Sequence, residues 1–197
     1  MKKPWESFEK EYEAVPYTDE RTGKKKVRYV YRGSWYEAGN EKEQFQMLKG
    51  IIGAAGLVNM IVVLWAGLAR ALVNRTALTA LPYGLALAAL IFVTIGAALL
   101  LFSGSRLKSA DHLRIRRMIH IAAPLEAALL GFAFAAGMIM TAGCLAENIL
   151  PLAGFLVGAC CAAAIRFFYG KIIYDEIKEE RSPSEDLFTR ETEDGER

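Results

Sequence analysis

The chain has 197 residues and a formal net charge of +2, the near-cancellation of 24 Lys and Arg by 22 Asp and Glu. So balanced a chain gives no reason to predict nucleic-acid binding, because phosphate recognition needs a sustained basic face. The two ends are polar, with 17 of the 24 Lys and Arg, whereas Asp and Glu almost vanish between Lys49 and Arg166. An apolar centre between polar ends is typical of a protein embedded in a lipid bilayer.

The polar N-terminal segment, residues 1–45, is expected to fold on the cytoplasmic side of the membrane. Three aromatic residues from Trp5 to Tyr12 follow one another at helical spacing, which predicts a short helix over residues 1–13. Two stretches on either side of Gly23 then predict a β-hairpin, since the second is rich in β-formers with a partly alternating pattern. We expect Gly23 to lie in the turn.

Four apolar stretches predict four transmembrane helices, because about twenty residues of helix span a hydrocarbon core of about 30 Å. The expected helices are about 50–69, 78–102, 118–142 and 149–170, within a transmembrane domain of residues 46–171. Residues 171–180 look like a helical extension into water, and the rest of residues 172–197 like a disordered acidic tail. The predicted fold class is an all-α integral membrane protein, a four-helix bundle with a small N-terminal helix and hairpin.

The distribution of Lys and Arg predicts the orientation, because basic loops stay on the cytoplasmic side. The N-terminal segment through Lys49 carries eleven, the first loop two, the second loop five, the third none and the C-terminal part six. Both termini and the loop 103–117 are therefore expected to be cytoplasmic, with the loops near Asn74 and Glu147 outside. This arrangement is typical of a multi-pass protein of the bacterial inner membrane.

Neither a metal site nor an enzyme is predicted. The three cysteines, Cys144, Cys160 and Cys161, have none of the paired spacings of a zinc site. Neighbouring Cys160 and Cys161 point to different helix faces, and Cys144 lies near the far membrane surface, so no internal disulfide is expected. We find no phosphate loop, no hydrolase triad and no cofactor motif.

Glu126 is the most informative residue, because it lies nine residues past Arg117, about 13 Å along a helix and close to mid-membrane. An ionised carboxylate there needs a partner, whereas a protonated one suits a proton-linked site. Asn59, Thr94 and Cys161 reach a comparable depth and could form a polar layer around it. The competing interpretation is that such residues only join helices together.

A stripe of small residues on the fourth helix suggests a partner for Glu126. Gly154, Gly158 and Ala162 recur every four residues, and Arg166 continues the stripe. The third helix carries a stripe that we expect to pack on it: Ala123, Ala127, Gly131 and Ala135. This packing would bring Arg166 within reach of Glu126 and predicts an ion pair, unless Arg166 extends to the headgroups instead.

His120 lies about one turn inside Arg117, and Pro124 removes the amide that would bond to its carbonyl. We therefore expect an irregular helix there. Histidine suits a proton relay. Six residues nevertheless separate His120 from Glu126, which places them on different helix faces, so no direct contact is expected.

The leading functional hypothesis is a non-enzymatic scaffold or accessory subunit that engages a cytoplasmic or membrane partner through residues 1–45. This hypothesis rests on a segment rich in Trp and Tyr, in a chain that has no recognisable set of catalytic residues. The alternative is a small proton- or ion-coupled transporter or channel subunit with Glu126 as the titrating group. Four helices alone enclose little space, so this alternative calls for a homo-oligomer.

Overall fold

The computed structural model describes residues 12–18, 24–31 and 33–177 of the chain. Four helices in it are long and apolar enough to cross a membrane, so the predicted number of such helices is confirmed. They are α1 at Lys42–Leu68, α2 at Ala77–Phe102, α3 at Ser109–Met140 and α4 at Leu145–Tyr169, and a 3-10 helix lies at Leu72–Arg75. Short strands accompany the helices, which makes the fold mostly helical rather than all-α.

The chain divides into two compact units. A strand unit contains residues 1–37, 106–109 and 175–197, as far as these are described. A helical unit contains Ala38–Ser105 and Ala110–Tyr174, and therefore nearly all of the four long helices.

The helical unit is held together by one buried stripe on each helix. On α1 the buried residues recur every three or four positions, which keeps them on one face. They include Phe45, Leu48, Ile52, Gly56, Asn59, Val63 and Ala66. Val63 and Ala66 form a hydrophobic core with Leu130 of α3 and Phe155 of α4. Asn59 is thus a polar side chain on an otherwise apolar stretch of that stripe.

Two asparagines fix the connections between helices. Asn74 Nδ2 donates to the carbonyl oxygens of Ala66 at 2.8 Å and Ala69 at 2.9 Å, which satisfies acceptors left open at the end of α1. Asn148 Oδ1 of α4 accepts from the backbone amide of Val73 at 3.0 Å. The loop after α1 is therefore tied both to α1 itself and to α4.

The α3 helix contains a wider π turn at Met118–Ala122, just before Pro124. Proline has no amide hydrogen for the carbonyl four residues earlier, and a π turn is one way in which a helix adapts to a local break in its hydrogen bonds. The sequence predicts an irregular helix around His120 and Pro124, and the π turn lies there.

In the strand unit, β1 (Tyr12–Thr18) and β2 (Lys25–Tyr31) pair antiparallel, with Tyr12 opposite Tyr31. The predicted hairpin is thereby confirmed. The predicted turn residue, Gly23, lies outside the described residues.

A second sheet has the strand order β4-β3-β5. Its strands are β3 at Trp35–Ala38, β4 at Arg106–Lys108 and β5 at Tyr174–Ile177. β3 pairs antiparallel with β4, where Trp35 lies opposite Lys108. Arg106 and Glu37 form an ion pair of 3.2 Å across this ladder.

Two predicted helices are corrected by these strands. Most of the predicted helix over residues 1–13 lies outside the described residues, but Tyr12 belongs to β1 because its backbone pairs with β2. The predicted extension over 171–180 is wrong through Ile177, since α4 ends at Tyr169 and the chain enters β5. Pairing with β3 satisfies backbone groups that a helix would otherwise satisfy internally. The predicted acidic tail lies outside the described residues.

Candidate functional site

Glu126 and Asn59 are fully buried and hydrogen-bonded to each other inside the helical unit. Asn59 Nδ2 donates to Glu126 Oε1 at 2.9 Å. Asn59 belongs to the buried stripe of α1, and Glu126 to the buried stripe of α3 that also contains Ala123 and Leu130. Helical periodicity alone therefore turns both polar side chains toward the interior.

A glycine of α4 makes room beside this pair. A Cβ atom at Gly158 would lie 2.5 Å from Val63 Cγ2, 2.9 Å from Leu130 Cδ1 and 3.4 Å from Asn59 Oδ1. The first two separations are too short for real side chains. The absence of a side chain at Gly158 is what allows α4 to approach α1 and α3 at the level of the pair.

The hydrogen bond leaves one acceptor unused on each partner. Asn59 Oδ1 and Glu126 Oε2 are both buried and have no hydrogen-bond partner among the described residues. Thr94 Oγ1 on α2 is also buried and has no hydrogen-bond partner among the described residues. Buried polar atoms without partners are uncommon in folded proteins, because losing their bonds to water costs about 1–3 kcal/mol each.

The predicted polar layer is only partly assembled. Asn59 contacts Glu126 directly, and Cys161 of α4 lies within electrostatic range of the carboxyl group. Thr94 makes no hydrogen bond to Asn59 or Glu126 in the described part of the chain. Depth in the membrane was the signal used for this prediction, and depth alone does not show which way a side chain points.

The predicted Glu126–Arg166 ion pair is absent from the described residues, and an amide takes its place. Arg166 is partly exposed, and its Nη1 lies 3.3 Å from the position that a Cβ would occupy at Gly170. The arginine side chain therefore runs toward the end of α4. That direction keeps a guanidinium near water while its stem covers apolar surface.

His120 contacts the C-terminal end of α4, away from Gly154 and Gly158. Its ring meets that of Tyr169 edge-on, with 5.5 Å between centroids. Arg166 is within electrostatic range of both His120 and Tyr169. His120 thus belongs to a group near the end of α4, apart from the Asn59–Glu126 pair.

The small-residue stripe of α4 packs on α1 and on Leu130 of α3, and not on the α3 stripe around Gly131 that the sequence predicts. A Cβ at Gly154 would lie 2.5 Å from Ala66 Cβ, whereas one at Gly131 would meet nothing within 4 Å. Ala162 is buried with the glycines, whereas of the predicted α3 stripe Ala123 is buried, Ala127 only partly buried and Ala135 exposed. The buried face of α3 passes through Glu126 instead, about 100° around the helix from Ala127.

Lys49 is a buried residue that sequence reasoning treated as a flanking charge. It lies inside α1, which begins at Lys42, and only 4% of its surface is exposed. Its Nζ donates to the carbonyl oxygen of Ser103 and lies 5.2 Å from the centroid of the Phe45 ring. The signal available in the sequence was the spacing of Lys49 from Ile52 and Phe45, which places all three on one face.

A second candidate region lies in the strand unit, on one face of the hairpin. Alternation along β1 and β2 places eight side chains on this face, which we call the hairpin face. Its members are Tyr12, Ala14, Pro16, Thr18, Lys25, Val27, Tyr29 and Tyr31. Six of the eight are apolar or aromatic, and one, Lys25 at the loop end, is charged. The opposite face has three charged residues, Glu13, Lys26 and Arg28, beside Val15, Tyr17 and Val30.

One end of the hairpin face is packed within the strand unit. The Tyr31 ring lies 5.2 Å from that of Tyr12 and 5.3 Å from that of Trp35, both in edge-to-face contact. Lys108 Nζ lies 5.4 Å from the Tyr12 centroid and 5.2 Å from the Tyr31 centroid. At the other end, Val27 is 57% exposed and Tyr29 60%.

Within the described residues, no group of three or more His, Cys, Asp or Glu side chains could hold a metal ion. The three cysteines are free thiols. No family model, curated protein or solved structure matches the chain.

Proposed function

We propose that the chain is an integral protein of a cell membrane, of the bacterial inner-membrane type, with four crossings and cytoplasmic termini. Large apolar side chains remain exposed on all four long helices, for example Leu68, Leu81, Ile139 and Leu150. Such surfaces are costly in water and favourable in lipid. The bias of Lys and Arg toward both ends and the loop 103–117 supports the orientation.

Within the membrane, the protein acts as a non-enzymatic scaffold or accessory subunit that engages a protein partner through residues 1–45. The observation that carries this proposal is the hairpin face, whose far end exposes Val27 and Tyr29 next to exposed Ala14 and Pro16. A contiguous apolar surface beside charged residues is typical of a protein-interaction site. Aromatic residues are also enriched at the centres of such interfaces.

The test is co-purification of partners from the native membrane with the full-length chain. The Val27→Ser, Tyr29→Ser double variant should lose a partner that the unchanged chain retains. Arg28→Ser is the matched control, because Arg28 lies on the same strand and is exposed on the opposite face. Equal recovery of all partners by both variants would rule out the hairpin face as the docking surface.

A second candidate function is proton- or ion-coupled transport by a homo-oligomer, with Glu126 as the titrating group. The observation that favours it is a fully buried carboxyl group whose described partner is the neutral Asn59. Intramembrane carboxyl groups commonly mark ion or proton pathways. The test is flux across proteoliposomes under a pH gradient, which Glu126→Gln should abolish; absence of flux in the unchanged protein would remove this candidate.

A further inference from the structure

The Asn59–Glu126 pair has the atoms of a cyclic acid–amide pair, with one of its two hydrogen bonds made. Asn59 Nδ2 donates to Glu126 Oε1 at 2.9 Å. The remaining two atoms, Asn59 Oδ1 and Glu126 Oε2, are buried, and neither has a partner among the described residues. Along one edge, a primary amide and a carboxylic acid each present one donor and one acceptor in the same plane, so the two groups are complementary.

The protonation state decides whether the second bond can form. An ionised carboxylate only accepts hydrogen bonds, and an amide oxygen also only accepts, so neither unused oxygen could satisfy the other. A proton on Glu126 Oε2 turns this oxygen into a donor, and the side chain of Asn59 supplies the acceptor, Oδ1. One proton therefore satisfies two buried atoms at once and removes a charge from the apolar interior.

We propose that the helical unit binds a proton between Glu126 Oε2 and Asn59 Oδ1, so that α1 and α3 are joined by a neutral acid–amide pair. The hydroxyl of the protonated Glu126 donates to Asn59 Oδ1, while Asn59 Nδ2 donates to Glu126 Oε1. The inference rests on neither proposed function, since a neutral pair can serve a scaffold or a transporter equally well.

The described surroundings supply no cation to compete with the proton. On α1, the Lys49 amine is bound to the carbonyl of Ser103. On α4, Arg166 lies against Gly170 and acts on His120, while Cys161, a neutral thiol near Glu126, offers no positive charge. His120 is also the nearest titratable group on α3 itself and packs on Tyr169.

The α2 helix brings no charged side chain, since none occurs between Ala77 and Ser105. Its titratable Tyr83 donates its hydroxyl to the carbonyl of Val63 at 3.0 Å. A metal ion is a poorer occupant than a proton. Hard cations take about six or more oxygen ligands, whereas Asn59 Oδ1 and Glu126 Oε2 are only two.

The proposal is tested by infrared difference spectroscopy of the full-length protein in lipid, with glutamate isotopically labelled at its side-chain carboxyl group. At neutral pH we expect a carboxylic-acid carbonyl band that shifts with the label, because exposed glutamates are ionised there and give no such band. Glu126→Gln should remove the band completely. Asn59→Ala should keep the band and move it to higher frequency, because the carbonyl loses a hydrogen bond.

Three results would overturn the proposal. One is the absence of an acid band in the unchanged protein, which would show an ionised Glu126. Another is a band that survives Glu126→Gln, which would belong to a different glutamate. The third is a thermal stabilisation by sodium chloride over choline chloride that Glu126→Gln abolishes, which would place a sodium ion between the two oxygens. The first measurement is made on the unchanged protein, so it can still overturn the proposal if a variant fails to fold.

Discussion

Asn59 of α1 and Glu126 of α3 are joined by a hydrogen bond of 2.9 Å between two fully buried side chains. The bond links the first and third long helices, while Gly158 of α4 lies beside it without a side chain. Three of the four helices therefore meet at this one polar contact. The hydrogen bond matters for stability because both groups are buried. Removing one partner leaves the other without a hydrogen bond, which lowers the free energy of unfolding.

We expect Asn59→Leu to lower the free energy of unfolding by about 1–3 kcal/mol, because Glu126 would lose its described hydrogen bond. Glu126→Leu should cost a similar amount, and the double variant less than the sum of the two. Thermal unfolding in detergent measures all three. Thr94→Val is the matched control, since it removes a buried hydroxyl that makes no hydrogen bond to the pair. Additivity of the two single effects would mean that the residues are not coupled.

Substitutions of Glu126 and Arg166, by contrast, should have additive effects on the free energy of unfolding, to within about 0.5 kcal/mol. The described contacts place Asn59 beside Glu126 and turn Arg166 toward Gly170. The measurement compares Glu126→Gln, Arg166→Gln and the double variant by thermal unfolding. A double variant clearly more stable than the sum of the single effects predicts would instead show that Glu126 and Arg166 form an ion pair in the unchanged protein.

Gly158→Val should destabilise the helical unit by about 1–3 kcal/mol, because the new side chain would overlap Val63 and Leu130. Gly131→Ala is the control on α3, where an added Cβ would meet nothing within 4 Å. This control should be neutral or stabilise by up to about 1 kcal/mol, since alanine favours helix over glycine. Equal losses from both changes would contradict the described packing of α4.

Tyr174 offers a test of burial near the end of α4. Burial raises the pKa of its hydroxyl well above the ordinary value near 10, and the hydroxyl has no partner among the described residues. The folded state thus keeps a proton that the unfolded state releases, so stability present below about pH 10 is lost as the pH rises further. Tyr174→Phe should leave neutral stability unchanged or higher and should reduce this alkaline loss.

Cys144 reports on the proposed orientation, because it is an exposed free thiol next to the loop near Glu147. A membrane-impermeant maleimide added to intact spheroplasts should label it in a variant with Cys160 and Cys161 changed to serine. Lys25→Cys in a chain without native cysteines should be labelled only after the membrane is opened. Labelling in the reverse order at both sites would invert the topology.

The four long helices and the hairpin could be predicted from the sequence because each depends on a local pattern of residues. An uncharged run between Arg75 and Arg106 defines α2, and alternation around Val27 and Tyr29 defines β2. β3 and β5 were missed because their four residues each are too few for a pattern, and their pairing partners are distant in the chain.

The partner of Glu126 was missed for a different reason. Spacing shows that a residue lies on a helix face, but it does not show which neighbouring helix covers this face. Small residues on α3 suggested contact with the glycines of α4. Gly154 instead meets Val62 and Ala66 of α1, and Gly158 meets Val63 of α1 and Leu130 of α3. The clue in the sequence was Asn59, which lies four residues before Val63 on the same buried stripe.

The strand order β4-β3-β5 has a consequence for biosynthesis. β3 lies at the centre of this sheet, yet one of its neighbours precedes α3 and the other follows α4 in the chain. During translation, β3 therefore has no edge partner until α2 has been made, and it is flanked on both sides only after α4 has left the ribosome. The sheet can therefore be completed only after the four long helices have been made, by contacts of long sequence separation, which form slowly. Until then, unpaired strand edges are available to chaperones or to wrong partners.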